Sequence, residues 1–264
     1  MLVRDRGESW QLVRQPDHAD LSGQFAAAWG GDGFAAPQHA GPLTLAATRH
    51  DDGWAVFDRR PAWDPDNDRP RNFLDVPIPV HLAFYRACIA AVSDEDSYAG
   101  LMVSMHGSGI YTGRYGTQPS LGLANVKDHE AAVKAFVSEQ EEMQPARAAE
   151  LGISDEERWT NYKLLQIYDR LSLSLCLREW EGSDAEADTL APVPVDYEGN
   201  EVELRLEPLG PWRIRIDPYP FAESPARFNL VRKILLKGRY EGNDDFRRAY
   251  LGTRAELVDI TLER

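Results

Sequence analysis

The chain has 264 residues, 43% of them hydrophobic, 10% aromatic and 27% charged, enough for one large domain or two modest ones around a sizeable core. Its net charge of −14 argues against a general nucleic-acid binder, because phosphate backbones reward clustered Lys and Arg, and against docking on an anionic membrane. Met1 to Arg6 lacks the apolar core of a signal peptide, and no apolar run approaches the roughly 18 to 20 residues that span a bilayer.

Cys88 and Cys176 lie far apart within apolar helical patterns and read as small buried hydrophobes in a reducing compartment. The expectation is a soluble, cytoplasmic protein.

Residues 1–14 predict a short hairpin around Arg6-Gly7-Glu8. Pro16 suits a first helical turn, and Asp17 favours the positive end of that helix. Leu21, Ser22, Phe25 and Trp29 follow His18 at helical spacing, which puts His18 on the inward stripe. A second helix is predicted from Leu43 to about Asp51, with His50 inward at its end and Gly53 as its stop. Residues 54–79 read as an aperiodic loop rich in Pro and Asp. Pro79 opens a third helix whose stripe is His81, Phe84, Tyr85 and Cys88. A fourth, from about Asp94 to Met105, brings His106 to its end, and Gly107 to Gly116 reads as a Gly- and Tyr-rich loop.

Residues 128–150 predict a charged amphipathic helix with Asp128 as N-cap. The next helix starts near Ser154, with a capping-box spacing to Glu157, and continues to Trp180. On it Asp169 shares a stripe with Tyr162, Leu165, Ser172, Leu173 and Cys176, so its carboxylate faces inward and needs a metal, Arg or His partner. A polar linker follows at 184–188. Beyond it period-two alternation predicts strands at 193–197, 201–206, 212–216, 231–236 and 256–262. The fold these elements imply is mostly α, a helical domain over 1–190 followed by an antiparallel β subdomain over 191–264, with the hairpin at 1–14 free to join that sheet.

Four of the six histidines, His18, His50, His81 and His106, fall on inward stripes or at the ends of separate helices, and Asp51 and Asp169 accompany them. Imidazoles and carboxylates converging from different helices are how helical metal sites are built. A core histidine with only a hydrogen-bond partner is the competing reading for any one of them. His39 and His129 read as solvated. Arg114 is the candidate for gripping a phosphate and Lys163 a weaker one. Tyr111 and Tyr115 are candidates for stacking on a base or sugar, against plain packing.

The succession His18, His50-Asp51, His81, His106, Asp169 resembles the HD superfamily of metal-dependent phosphohydrolases, over about residues 15–180. The resemblance implies an HD-like helical bundle and metal-assisted hydrolysis of a phosphoester. It implies one or two divalent cations (Fe, Mn, Zn or Mg), which in a pair about 3.5–4 Å apart would share Asp51 and a bridging water. His18, His50 and Asp169 complete one metal, and His81 and His106 serve the second. With a single metal, His18, His50, Asp51 and Asp169 suffice, and His81 or His106 is left as general acid. The catalytic set so implied is Asp51, His81 and His106. His50-Asp51-Asp52-Gly53 also resembles the cyclic-dinucleotide-cleaving branch, but Trp54 stands where that branch has a basic residue and its second set of motifs is missing.

The whole chain is similar to a bacterial family of unknown function as well, through Gln15-Pro16-Asp17-His18-Ala19, His50-Asp51-Asp52-Gly53-Trp54 and Asp75-Val76-Pro77. The expected partner is a small phosphorylated metabolite or nucleotide, with no nucleic-acid polymer and no membrane. Two alternatives stay open: a non-catalytic protein binding a small ligand or a protein partner, and a β subdomain that mediates homo-oligomerisation.

Overall fold

A computed structural model describes residues 1–119, 126–182 and 185–264. The expected polar linker at 184–188 begins outside the described residues. Strands β1 (Leu2–Asp5) and β2 (Ser9–Val13) form the N-terminal hairpin. Helices α1 (Gln15–Ala28) and α2 (Ala40–Arg49) follow, then the single turn α3 (Ala55–Asp58) and the two-residue strands β3 (Trp63–Asp64) and β4 (Arg69–Pro70). The helices α4 (Ile78–Glu95), α5 (Ser97–Tyr111), α6 (Glu130–Leu151) and α7 (Asp155–Leu177) come next. The chain closes with β5 (Asp188–Pro194), β6 (Glu201–Gly210), β7 (Arg213–Asp217), β8 (Ala226–Leu236), α8 (Asn243–Gly252) and β9 (Ala255–Glu263).

The expectation of a mostly helical bundle with an appended antiparallel β subdomain is overturned. Seven strands make one mixed sheet in the order β1-β2-β8-β9-β7-β6-β5. Strand β2 pairs with β8, Trp10 opposite Leu235, so the hairpin and the C-terminal strands are one sheet. Strand β9 returns between β8 and β7 and runs parallel to β7. Alternation reveals a strand but not its neighbour, and α8, which the sequence reading missed, lets β9 re-enter the sheet interior instead of extending its edge. Helix α1 packs on β8, and α7 on β1 and β5. Between them Phe25, Trp29, Tyr168, Phe221 and Phe228 interlock edge-to-face or tilted. Each such buried aromatic contributes about 1.5–3 kcal/mol from burial alone. On the other side of β2, Trp10 and Leu12 pack with Trp63, Phe246 and Tyr250, so β2 is buried on both faces.

Two glycines explain local departures from the predicted boundaries. The expected loop from Gly107 is instead the last turn of α5, because Gly109 lets α7 approach: a Cβ there would sit 2.2 Å from the Tyr162 hydroxyl. Gly53 is not a left-handed cap but lies in a 3-10 turn, Asp52–Trp54, pressed on α4, where a Cβ would meet the Phe84 carbonyl oxygen at 2.3 Å. That contact fixes Asp51 and Trp54 against α4. Among the described residues no helix is long and apolar enough to cross a membrane.

Candidate metal centre

Three helices bring the polar cluster together. Pro16 sets the first turn of α1, which carries His18 to the face against α7. His50 ends α2 and Asp51 follows it at the start of the 3-10 turn, while Asp169 projects from the middle of α7. All four residues are buried, with His50 wholly inaccessible.

His18 Nε2 lies 3.1 Å from Asp51 Oδ2 and 3.8 Å from Asp169 Oδ1. His50 Nε2 lies 3.7 Å from Asp51 Oδ2 and 3.6 Å from Asp169 Oδ1. Each imidazole nitrogen thus lies within 3.8 Å of an oxygen from both carboxylates. The outer nitrogen fixes which way the His50 ring presents its lone pair. His50 Nδ1 is 2.8 Å from the Ala47 carbonyl oxygen, which can only accept, so Nδ1 donates. His18 Nδ1 is 2.7 Å from Ser172 Oγ and its Nε2 is 3.1 Å from Asp51 Oδ2, so without a cation Nε2 donates to Asp51, and a cation in that place would move the hydrogen to Nδ1, where Ser172 Oγ can accept it. In the neutral His50 ring Nε2 therefore carries a lone pair aimed at carboxylates. His50 Nε2 is buried and has no hydrogen-bond partner. Lone pair facing lone pair is repulsive in a low-dielectric interior; a cation between them reverses the sign. The buried group His18, His50 and Asp51 can hold a metal ion, its ligand atoms lying within 4.8 Å of one another.

Without a cation the cluster rearranges its protons. Burial lowers the pKa of His50, but the carboxylates of Asp51 and Asp169 outweigh it and push it up to about 9. For Asp51, burial raises the pKa, and the charge of His50 with the hydrogen bond from His18 brings it below the usual carboxylate range. Asp169 is likewise raised by burial and then held well below that range, chiefly by the Arg114 guanidinium. Tyr85 donates to Asp51 Oδ1 at 2.8 Å, orienting Oδ2 toward the histidines.

The other sequence-derived candidates divide. His81 and His106 line the same cavity as His18, Asp51, Tyr85 and Asp169. Burial pulls their pKa values down, to about 4 and about 3, so both rings are neutral near pH 7. Tyr111 hydrogen-bonds His81 Nδ1 through its hydroxyl. Arg114 is buried, not on a loop surface: its Nη2 is 3.0 Å from Asp169 Oδ2, and its backbone sits in the left-handed region at φ 52°. Tyr115 packs edge-on to Trp159 and Tyr162. Lys163 is not brought to the cluster; it pairs with Glu201 at 2.5 Å. His39 stacks on Tyr98 and its Nδ1 meets Glu157 Oε1 at 2.6 Å, and His129 lies just before α6 at intermediate exposure.

Sequence reasoning passed over Tyr85, Ser172, Gln166 and Trp54 as parts of the site. A signal existed: Ser172 and Gln166 flank Asp169 at three residues either side, on its own helix face, and Tyr85 follows His81 by one turn. Trp54 packs edge-on to His81 with ring centroids 5.0 Å apart and walls the cavity. That cavity measures about 20 Å³, the size of an ion or a single water.

The sequence matches a protein family described as a protein of unknown function, DUF3891, over residues 1–237. No curated protein and no solved structure matches the chain.

Proposed function

We propose that this chain, which belongs to the DUF3891 family, is a divalent-metal-dependent phosphohydrolase acting on a small phosphorylated metabolite or nucleotide. One observation carries the reading: a buried, unpartnered His50 Nε2 facing two carboxylate oxygens that His18 Nε2 also approaches. His18, His50, Asp51 and Asp169 would hold the ion. Two nitrogens and two oxygens suit Zn, Mn or Fe better than Mg, which favours an all-oxygen shell. The order His, His-Asp, Asp in the chain, as in the HD superfamily, supports the reaction class.

A bound divalent cation supplies an acidified water and neutralises charge developing on a phosphoryl group. The chain's own residues do the rest. The Ala47 carbonyl keeps His50 in the ligand tautomer, Ser172 would accept the Nδ1 hydrogen of a ligated His18, and Tyr85 orients the Asp51 carboxylate. Arg114 offsets the negative charge of Asp169, which keeps two buried carboxylates tolerable side by side. His81 and His106, neutral and on the cavity wall, are the groups a phosphoryl oxygen would meet.

The size of the cavity favours a second reading, a non-catalytic protein whose centre takes a metal ion but admits no larger ligand. Elemental analysis and a panel of phosphomonoesters, phosphodiesters and nucleotides separate the two. The phosphohydrolase retains close to one equivalent of metal, and Asp51→Ala loses both metal and turnover. Full occupancy with no turnover across the panel selects the non-catalytic reading. Metal below about a tenth of an equivalent after reconstitution ends both.

A further inference from the structure

His106 differs from His50 in how its ring is held. A guanidinium has only donors, and Arg114 Nη1 lies 2.8 Å from one end of the Gln166 side chain, so that end is the carboxamide oxygen. The other end, the amide nitrogen, lies 3.1 Å from His106 Nδ1 and can only donate. His106 Nδ1 therefore accepts. A neutral ring whose Nδ1 accepts carries its one hydrogen on Nε2, and it has no lone pair left for a cation. The buried relay Arg114–Gln166–His106 is thus opposite in sense to the contact of His50, whose Nδ1 donates to the Ala47 carbonyl oxygen.

We infer that His106 is fixed as an Nε2–H hydrogen-bond donor lining the cavity, not as a metal ligand, and that Arg114 and Gln166 are positioning residues that set its tautomer. The centre then takes a single cation, on His18, His50, Asp51 and Asp169. On the phosphohydrolase reading, His106 donates to a phosphoryl oxygen of the substrate, and that clause alone rests on it. Arg114 has two tasks with one group: it neutralises Asp169 and orients Gln166. Its left-handed backbone and complete burial suit a residue whose position matters more than its accessibility.

The substitution Gln166→Glu tests the relay. The introduced carboxylate would accept from Arg114 with one oxygen and, with the other, from His106, so the His106 hydrogen moves to Nδ1 and Nε2 gains a lone pair. Long-range proton–nitrogen correlation on the metal-free protein should report Nε2–H for His106 in the wild type and Nδ1–H in Gln166→Glu. Zinc titration should saturate at one equivalent in the wild type and at two in the variant. Any hydrolysis should fall about 100-fold, the scale of one lost donor to a developing oxyanion. Gln166→Met, nearly the same in volume but unable to donate, serves if the charged variant does not fold, and it should show both His106 tautomers. A wild-type Nδ1–H signal, or a second tight equivalent in the wild type, overturns the inference. If the tautomers behave as stated while no phosphoester turns over, the assignment of His106 stands and the phosphohydrolase reading falls.

Discussion

The two ends of α2 carry two histidine clusters that both draw on α5 and α7, and they are finished differently. At the N-terminal end His39 stacks on Tyr98 of α5 at 4.5 Å, and its Nδ1 reaches Glu157 of α7. Glu157 also accepts from Tyr98, whose hydroxyl accepts from Asn161, and Asn161 Oδ1 accepts from Tyr197. Donors there find acceptors within the protein. At the C-terminal end His50 faces Asp169 of α7 beside His106 of α5, and Nε2 finds nothing. A satisfied polar cluster ties helices together; an unsatisfied one, kept at the cost of burying it, asks for a ligand.

Truncating each of the two histidines in turn is the strongest way to break this contrast. His50→Ala should weaken zinc or manganese binding by at least about 100-fold, the upper end of what even a lost outer-shell partner costs. His39→Ala should leave affinity unchanged and lower only the unfolding midpoint. Competition with a chelator of known affinity measures both. Equal losses from the two variants would make α2 a scaffold at both ends and remove the metal centre.

How much of this contrast could be read in the chain depends on what helical spacing encodes. His18, His81 and Asp169 fall on apolar stripes, and a stripe on a helix is a buried face, so their inward placement was legible. His39, among Ala, Gly and Pro, read as solvated and is exposed, but nothing local points to its contacts with Tyr98 and Glu157, which lie 59 and 118 residues away. Arg114 read as a loop residue because Gly107 and Gly109 suggested a break in the chain. Those glycines instead allow α5 to pack closely on its neighbours, and the segment after it turns Arg114 inward. That the N-terminal hairpin could join the C-terminal sheet was legible, and it does; which strand it pairs with was not. The hairpin at residues 2–13 carries no mark of its pairing with β8, more than 200 residues on, since period two specifies a face and not a partner.

The C-terminal end of α2 also carries a protonic signature. In the metal-free protein His50 is raised to about 9, against burial, by Asp51 and Asp169, while ligation requires its Nε2 bare. Below about pH 9 metal binding must therefore expel a proton, and affinity should rise by up to tenfold per pH unit before levelling there. Calorimetry in buffers of differing ionisation enthalpy counts that proton. The sign for stability is opposite. A raised folded-state pKa stabilises the metal-free protein fully below about 6.5, and this support fades as pH rises through about 9. Binding that releases no proton at pH 7 would mean that His50 is already neutral in the metal-free protein or is not a ligand, and loss of affinity in His50→Ala separates the two.

The smallest effect belongs to the satisfied end. Tyr98→Phe deletes a hydroxyl that donates to Glu157 at 3.1 Å and accepts from Asn161. Both partners keep other bonds: Glu157 holds His39 at 2.6 Å, and Asn161 Nδ2 donates to the Gln38 carbonyl oxygen at 2.8 Å. No buried group is orphaned, and the ring still stacks on His39. The cost is then that of an ordinary hydrogen bond, about 1 kcal/mol, not the larger penalty of an unpaired buried group. For a chain of this size that lowers the melting midpoint by about 2–4 °C. Metal content should not change, because the hydroxyl lies at the far end of α2 from His50. A fall in metal affinity in Tyr98→Phe would show that α2 couples its two ends, and that the satisfied cluster helps to position the unsatisfied one.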